Sequence, residues 1–307
     1  MNKEGATYHV PVLLREATDA LRIRPDGVYV DATFGGGGHS REILSRLGEN
    51  GKLLAFDKDS EAEANVPDDP RFELIPADFR FLKNHLRFRG IRQIDGLLAD
   101  LGISSHQIDA DYRGFSYRFP GKLDMRMNRG QEKTAWHVVN EYSEEELARI
   151  LKMFGELSAA GRIAREIIRQ RSEKPVDTTE ELIKIVERFA PPRRRNKFLS
   201  QVFQALRIEV NGELDALMEL LKQSAEIIRP GGRLAVITYH SLEDRLVKHF
   251  IRSGNFEDRQ VKDFYGNVLK PFRKAGPVIK PDAEEIARNP RARSAKLRVA
   301  EKIEQYE

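Results

Sequence analysis

Three aspartates in the first hundred residues each end a short apolar run, and a block of four glycines follows the first of them. Val28 to Val30 leads into Asp31, Leu53 to Phe56 into Asp57, and Leu97 to Ala99 into Asp100. In open α/β sheets the ligand crevice lies beyond the carboxyl ends of the strands, so a carboxylate there is placed for binding or chemistry. Asp57 sits where the acidic residue of such folds reaches two ribose hydroxyls. Gly35 to Gly38 remove every Cβ from the turn after Asp31, so backbone N–H groups can close on a ligand while the next helix points its N-terminus at it. Ile43, Leu44 and Leu47 return apolar side chains at helical spacing. The result is strand, tight turn, helix, a unit that suits a nucleotide-like cofactor and that also occurs as a plain structural turn.

A dinucleotide fingerprint counted from Gly35 would close on a small residue at position 40, which is Ser40, an imperfect match. S-adenosylmethionine fits better: it carries a cationic end and a ribose but no pyrophosphate, and the first two strands each end in a carboxylate. Further on, Phe72 to Ile75 forms a third strand, and Asp78 or Phe79 just after it lies where adenine is usually read. The Phe79 ring could stack on the base, or pack in the core with Leu82 and Leu86. The nearly continuous apolar run Ile94 to Leu101 is expected of a central parallel strand covered on both faces.

From Asp109 the sheet rhythm stops for about a hundred residues. Gly114 to Gly121 is an aromatic and basic loop that could stack unpaired bases. Ser143 with Glu146 three on is a capping box, and helices are expected up to Gly155, over 158–171, over 179–189 and over 196–210. An all-helical block interrupting an α/β pattern is expected to be an inserted domain, here 109–207, within a core of 1–108 and 208–307. The pattern then resumes with a helix over 211–228, a turn at Arg229 to Gly232, a strand over 233–239, and His240 to Arg245 opening another helix. An alternating run ending near Val299 is expected to be an antiparallel last strand.

Lysine plus arginine number 52 against 48 acids, a small excess, but its distribution is uneven. Residues 109–207 hold 20 basic and 15 acidic side chains, leaving 32 and 33 for the remainder. Arg162, Arg165 and Arg169 fall on one helix face, and Arg193, Arg194 and Arg195 with Lys197 lie in the loop before the fourth helix. Residues 259–298 hold eleven basic and four acidic side chains, among them Arg291 and Arg293 in a loop expected beside the cleft. Such clusters are either solvated faces or phosphate contacts; with the aromatic loop they favour RNA. There is no cysteine, hence no disulfide or thiolate metal site, and no metal is expected. The absence of a leader pattern and of an apolar span of about 18 residues leads to the expectation of a cytoplasmic protein without a membrane partner. A homodimer stays open.

Seven motifs in order along the chain carry a resemblance. His9 to Leu13, Asp31 to Gly35 with Gly37 to Ser40, Asp100 to Ser105, Leu123 to Met127, Phe203 to Arg207, His240 to Arg245 and Asn289 to Ser294 resemble the small-subunit ribosomal RNA cytosine-N4 methyltransferases. The resemblance implies a class I methyltransferase core, with a Rossmann-like, mostly parallel sheet and an inserted helical RNA-recognition domain. It implies S-adenosylmethionine as cofactor, small ribosomal subunit RNA as partner, and cofactor positions at Gly37, Gly38, His39, Asp57, Phe79, Asp100 and Gln107. Asp100 is also the candidate catalytic acceptor for the cytosine amine, and His9 would lie beside the active site. His106 and Lys122 stand where the family often has proline. Three other readings compete. A nicotinamide dehydrogenase would have no need of the basic insertion. A DNA N4-methyltransferase should show an acid or amide followed by Pro-Pro-aromatic where this chain has Asp100-Leu-Gly-Ile. A non-enzymatic RNA-binding assembly factor would lack cofactor affinity.

Overall fold

The computed structural model describes residues 11–104, 107, 108 and 110–304. They form two compact units, one of the described residues up to 102 and from 214 on, the other of those between 103 and 213. These breaks compare with 108/109 and 207/208 expected from the sequence.

In the first unit, β1 (Val28–Asp31), β2 (Lys52–Phe56), β3 (Phe72–Ile75), β4 (Ile94–Asp100), β5 (Ile228–Thr238), β6 (Phe272–Lys274) and β7 (Lys296–Lys302) make a sheet in the order β3-β2-β1-β4-β5-β7-β6. The first five are mutually parallel, β7 runs antiparallel to β5 and β6 antiparallel to β7, the mostly parallel sheet expected from the sequence. The sequence order reverses between β1 and β4, so the crevice at the switch point is flanked by Asp31 and Asp100. Leu97, Leu98 and Ala99 have no accessible surface, which explains why β4 lacks polar alternation: a parallel strand covered on both faces buries every side chain, at about 1.5–3 kcal/mol for each leucine.

The helices of this unit are α1 (Leu14–Ala20), α2 (Gly38–Arg46) and α3 (Leu82–Phe88), and, after the helical unit, α9 (Glu213–Ile227), α10 (Ser241–Ser253) and α11 (Ala283–Arg288). The expected helix from Asn211 begins two residues later, because Gly212 adopts the left-handed conformation (φ 58°) and breaks the chain there. The expected turn at Arg229 to Gly232 is a bulge within β5. Pairing jumps from Ile94 opposite Ile228 to Gly96 opposite Arg233, so one residue on β4, Asp95, faces four on β5. Asp95 anchors the bulge, pairing with Arg229 and accepting the Val28 N–H at 2.8 Å.

The second unit contains α4 (Ala135–Glu141), α5 (Glu144–Met153), α6 (Ala160–Arg171), α7 (Thr179–Val186) and α8 (Arg195–Asn211) around its own apolar core. The α4 helix had no sequence expectation. It is capped by Thr134 with His137 in place of the usual acidic or amide residue, a box that a search for Glu or Gln overlooks. Capping boxes at Ser143/Glu146 and Thr178/Glu181 open α5 and α7.

Candidate active site

The glycine turn is held from both sides. Gly35 and Gly37 are left-handed (φ 50° and 73°), which an L side chain rarely tolerates. A Cβ on Gly38 would come within 2.1 Å of the Pro11 ring, whereas one on Gly35 or Gly36 would meet nothing within 4 Å. The turn thus packs the protein with one end and opens to free space with the other. The α2 helix starts at Gly38 without a side-chain cap, leaving its first N–H groups available to an anion or polar ligand.

Each expected carboxylate has a distinct environment. Asp31 is buried, accepting the Ser40 hydroxyl at 2.7 Å and the Thr33 N–H at 3.0 Å; it braces the turn, and burial raises its pKa. Asp57 accepts the Gly35 N–H at 2.8 Å through Oδ2 and the Asp59 N–H at 2.8 Å through Oδ1, tying β2 to the turn, and burial lifts its pKa to about 6. Asp100 keeps 21% of its side-chain surface accessible, yet burial still raises its pKa to about 6. Its Oδ1 accepts the Tyr239 hydroxyl at 2.8 Å, and its N–H donates to Thr33 Oγ1 at 2.7 Å. Burial raises the Tyr239 phenol well above its usual range, so that proton stays on the ring oxygen and the bond to Asp100 persists.

His39 lies beneath Asp100. Its Nε2 is 3.2 Å from the Val12 carbonyl, which can only accept, so Nε2 carries the proton and Nδ1 faces Asp100 Oδ2 at 3.9 Å. Burial lowers its pKa, favouring the neutral ring. Tyr239 was absent from the sequence expectation; its only sequence signal is that it leaves the carboxyl end of β5. Its ring also packs on Gly102, where a Cβ would approach within 3.1 Å.

Phe79 opens a short 3-10 turn capped by Asp78, half-buried against the core beneath the sheet, so part of the ring is core and part is accessible. His240 is the N-cap of α10: its Nδ1 accepts the Glu243 N–H at 3.4 Å, while Glu243 Oε2 accepts the Tyr239 N–H at 2.9 Å. Arg291 and Arg293 are exposed on the 3-10 turn Pro290–Ser294. His9 and His106 lie outside the described residues.

Gln107 belongs to the helical unit, where its side-chain oxygen accepts the Ser104 N–H and its own N–H donates to Ser104 Oγ, both at 3.2 Å. The motifs at Leu123 to Met127 and Phe203 to Arg207 meet in this unit through buried Asn211, which accepts the Met127 N–H and donates to the Met125 carbonyl, each at 2.8 Å, and to Arg207 O at 2.9 Å. The aromatic loop differs from expectation. Phe115 is buried and Tyr117 packs edge-on to Phe203 at 6.0 Å, because the core claims both rings; Phe119, 43% exposed, is the ring of that loop left to solvent.

Arg162, Arg165 and Arg169 share the exposed face of α6, with Ile163, Ala164 and Ile167 buried beneath. Arg165 pairs with Glu144 at 3.2 Å, and Arg169 with Glu166 at 2.7 Å and Glu173 at 3.5 Å. Exposed pairs of this kind contribute about 0.2–1 kcal/mol and exchange readily for phosphate. Arg193 is left-handed (φ 61°) and Arg194 caps α8, but Arg195 and Lys197 lie in the first turn of α8 and not in the preceding loop; Arg195 is tethered to Glu187 at 2.7 Å.

An open-ended glycine turn, an uncapped helix start and carboxylates at the ends of β1, β2 and β4 fit an adenosyl cofactor. Among the described residues no helix is long and apolar enough to cross a membrane. Comparison with known proteins agrees with the geometry. The sequence model of the MraW methylase family matches residues 6–303. Ribosomal RNA small subunit methyltransferase H of Flavobacterium johnsoniae is 57% identical over 296 residues, 96% of this chain and 98% of that protein. The proteins of the same name from Parabacteroides distasonis and Cytophaga hutchinsonii are 53% identical over 305 residues (99% and 100% covered) and 54% over 297 (96% and 99%). The chain belongs to the MraW methylase family.

Proposed function

We propose that this chain transfers the methyl group of S-adenosylmethionine to the exocyclic N4 of a cytidine in small-subunit ribosomal RNA, with the assembled subunit as the substrate form. The observation that carries the reading is the Asp100 carboxylate at the switch-point end of β4, fixed by Tyr239 and still partly accessible. Bound S-adenosylmethionine supplies an activated methyl group on a sulfonium, already a good leaving group, so the protein's part is mainly positioning. Gly37, Gly38, His39, Asp57 and Phe79, all of the sheet unit, are proposed to hold it.

The cytosine amine is a weak nucleophile because its lone pair is delocalised into the ring. Asp100 accepts a hydrogen bond from N4–H, which localises that pair and offsets the positive charge that grows on nitrogen. With a pKa of about 6 it is mostly ionised at neutral pH, yet basic enough to take the proton that N4 sheds once the N–C bond has formed. Tyr239 holds the carboxylate in one rotamer by its hydroxyl hydrogen bond. A stacked target base must leave its helix to reach this edge, which gives the basic helical unit its proposed part in gripping RNA.

Incubating the protein with labelled cofactor and either naked small-subunit RNA or assembled subunits, then mapping modified nucleosides by mass spectrometry, tests the reading. N4-methylcytidine in the subunit sample is the expected product. Cofactor binding without any methylated nucleoside, or methyl on another atom, would overturn it.

A further inference from the structure

A cavity of about 290 Å³ opens at the carboxyl end of β5, lined by Tyr239, His240, Ser241, Lys280, Arg293 and Lys296 among others, all within the sheet unit. It adjoins the candidate active site directly, since Tyr239 lines the cavity with its own residue and binds Asp100 with its hydroxyl.

The balance of charge around this cavity is uneven. Lys296 is 3.2 Å from Asp244, which Arg298 also grips at 2.7 Å, so both cations are engaged with a carboxylate within the fold. Glu243 is engaged beneath His240, its Oε1 3.1 Å from Nε2. Lys280 and Arg293 are exposed and, among the described residues, have neither an ion pair nor a side-chain hydrogen bond. Both are carried on fixed backbone. Lys280 follows Ile279, which exchanges hydrogen bonds with Leu297 at 3.1 and 2.9 Å, and Arg293 sits on the 3-10 turn between buried Ala292 and Ala295. Two cations that line one small cavity on fixed backbone, with Ser294 also in its lining, match one compact anion with several acceptor oxygens.

We propose that this cavity binds a phosphate of the RNA strand beside the target cytidine. The inference rests on the RNA reading above and adds the part of the substrate that is held. The cofactor's carboxylate is the other anion at hand, but the glycine turn that suits the cofactor follows β1, two strands away from β5 and so about 10 Å across the sheet. The cavity instead adjoins Asp100 on β4, one strand over. A phosphate contact there sets the register of the strand without reading its sequence.

The test measures equilibrium binding of small-subunit ribosomal RNA to the full chain between about 50 and 200 mM salt, for the wild type and for Lys280→Ala/Arg293→Ala, with cofactor affinity measured by calorimetry alongside. The expected result is weaker RNA binding, a slope of log K against log salt shallower by about 1, and unchanged cofactor affinity; Lys280→Arg/Arg293→Lys should restore the slope. An unchanged slope overturns the proposal, as does a wild type that binds no RNA. Loss of cofactor affinity in the double alanine variant would assign the cavity to the cofactor's carboxylate instead. Binding is read without turnover, so wild-type RNA affinity with the expected variant slope but no N4-methylcytidine would sink the reaction and leave the phosphate site standing.

Discussion

Burial shifts Asp31, Asp57 and Asp100 in the same direction, raising each pKa in the folded protein. A carboxyl group that holds its proton more tightly when folded stabilises the fold fully below its unfolded pKa, and that contribution is lost as pH rises through the folded value. For Asp57 and Asp100 the window runs from about 4 to about 6, each worth at most about 3 kcal/mol. A cationic ligand beside them favours the ionised forms. Cofactor binding near pH 6 should therefore release protons and weaken as pH falls below 6, which calorimetry in buffers of different ionisation heat will show; proton uptake would contradict it. Asp100→Asn keeps the shape but halves the acceptor capacity of the group, so single-turnover methyl transfer at saturating cofactor should fall at least about 100-fold. A near-normal rate would remove Asp100 from the chemistry.

Helix ends and bulges position these groups. The open start of α2 and the filled start of α10 differ because Gly37 has no side chain to cap with, whereas His240 and Glu243 close a reciprocal box. In the helical unit Asn211 stands at the end of α8 and holds the Leu123 to Met127 segment by backbone hydrogen bonds. Asn211→Ala would leave a buried N–H and carbonyl unpaired and should cost about 2–4 kcal/mol. The sole tryptophan, Trp136, lies on α4 in the same unit, so its fluorescence during urea unfolding reads that loss directly. An unshifted transition would mean that the segment finds other partners. The signals for the capping boxes were short-range and visible in the chain, apart from the His137 variant. The β5 bulge was not, because Arg229-Pro-Gly-Gly has the composition of a turn and only its pairing with Asp95 and Gly96 shows that the strand continues.

Across the whole molecule, charge divides by unit and by pairing. The α6 face presents Arg162, Arg165 and Arg169, but glutamates already hold two of them. Changing all three to alanine should weaken RNA binding and flatten its salt dependence by no more than about 1 to 3 in slope, with cofactor affinity intact. Filter binding across a salt series decides this, and an unaltered slope returns the face to solvent. The first five strands and the antiparallel last one, the glycine turn and the three carboxylates were legible in the amino-acid order because hydrophobic period and turn chemistry act over a few residues. Contacts between residues far apart in sequence were not. The bond from Tyr239 to Asp100 spans 139 positions, the ring of Tyr117 turns into the core against Phe203, and Lys280 and Arg293 meet at one cavity. Local composition specifies what each segment is able to form, but which side chains are left facing the crevice depends on burial and pairing that exist only once the sheet has closed.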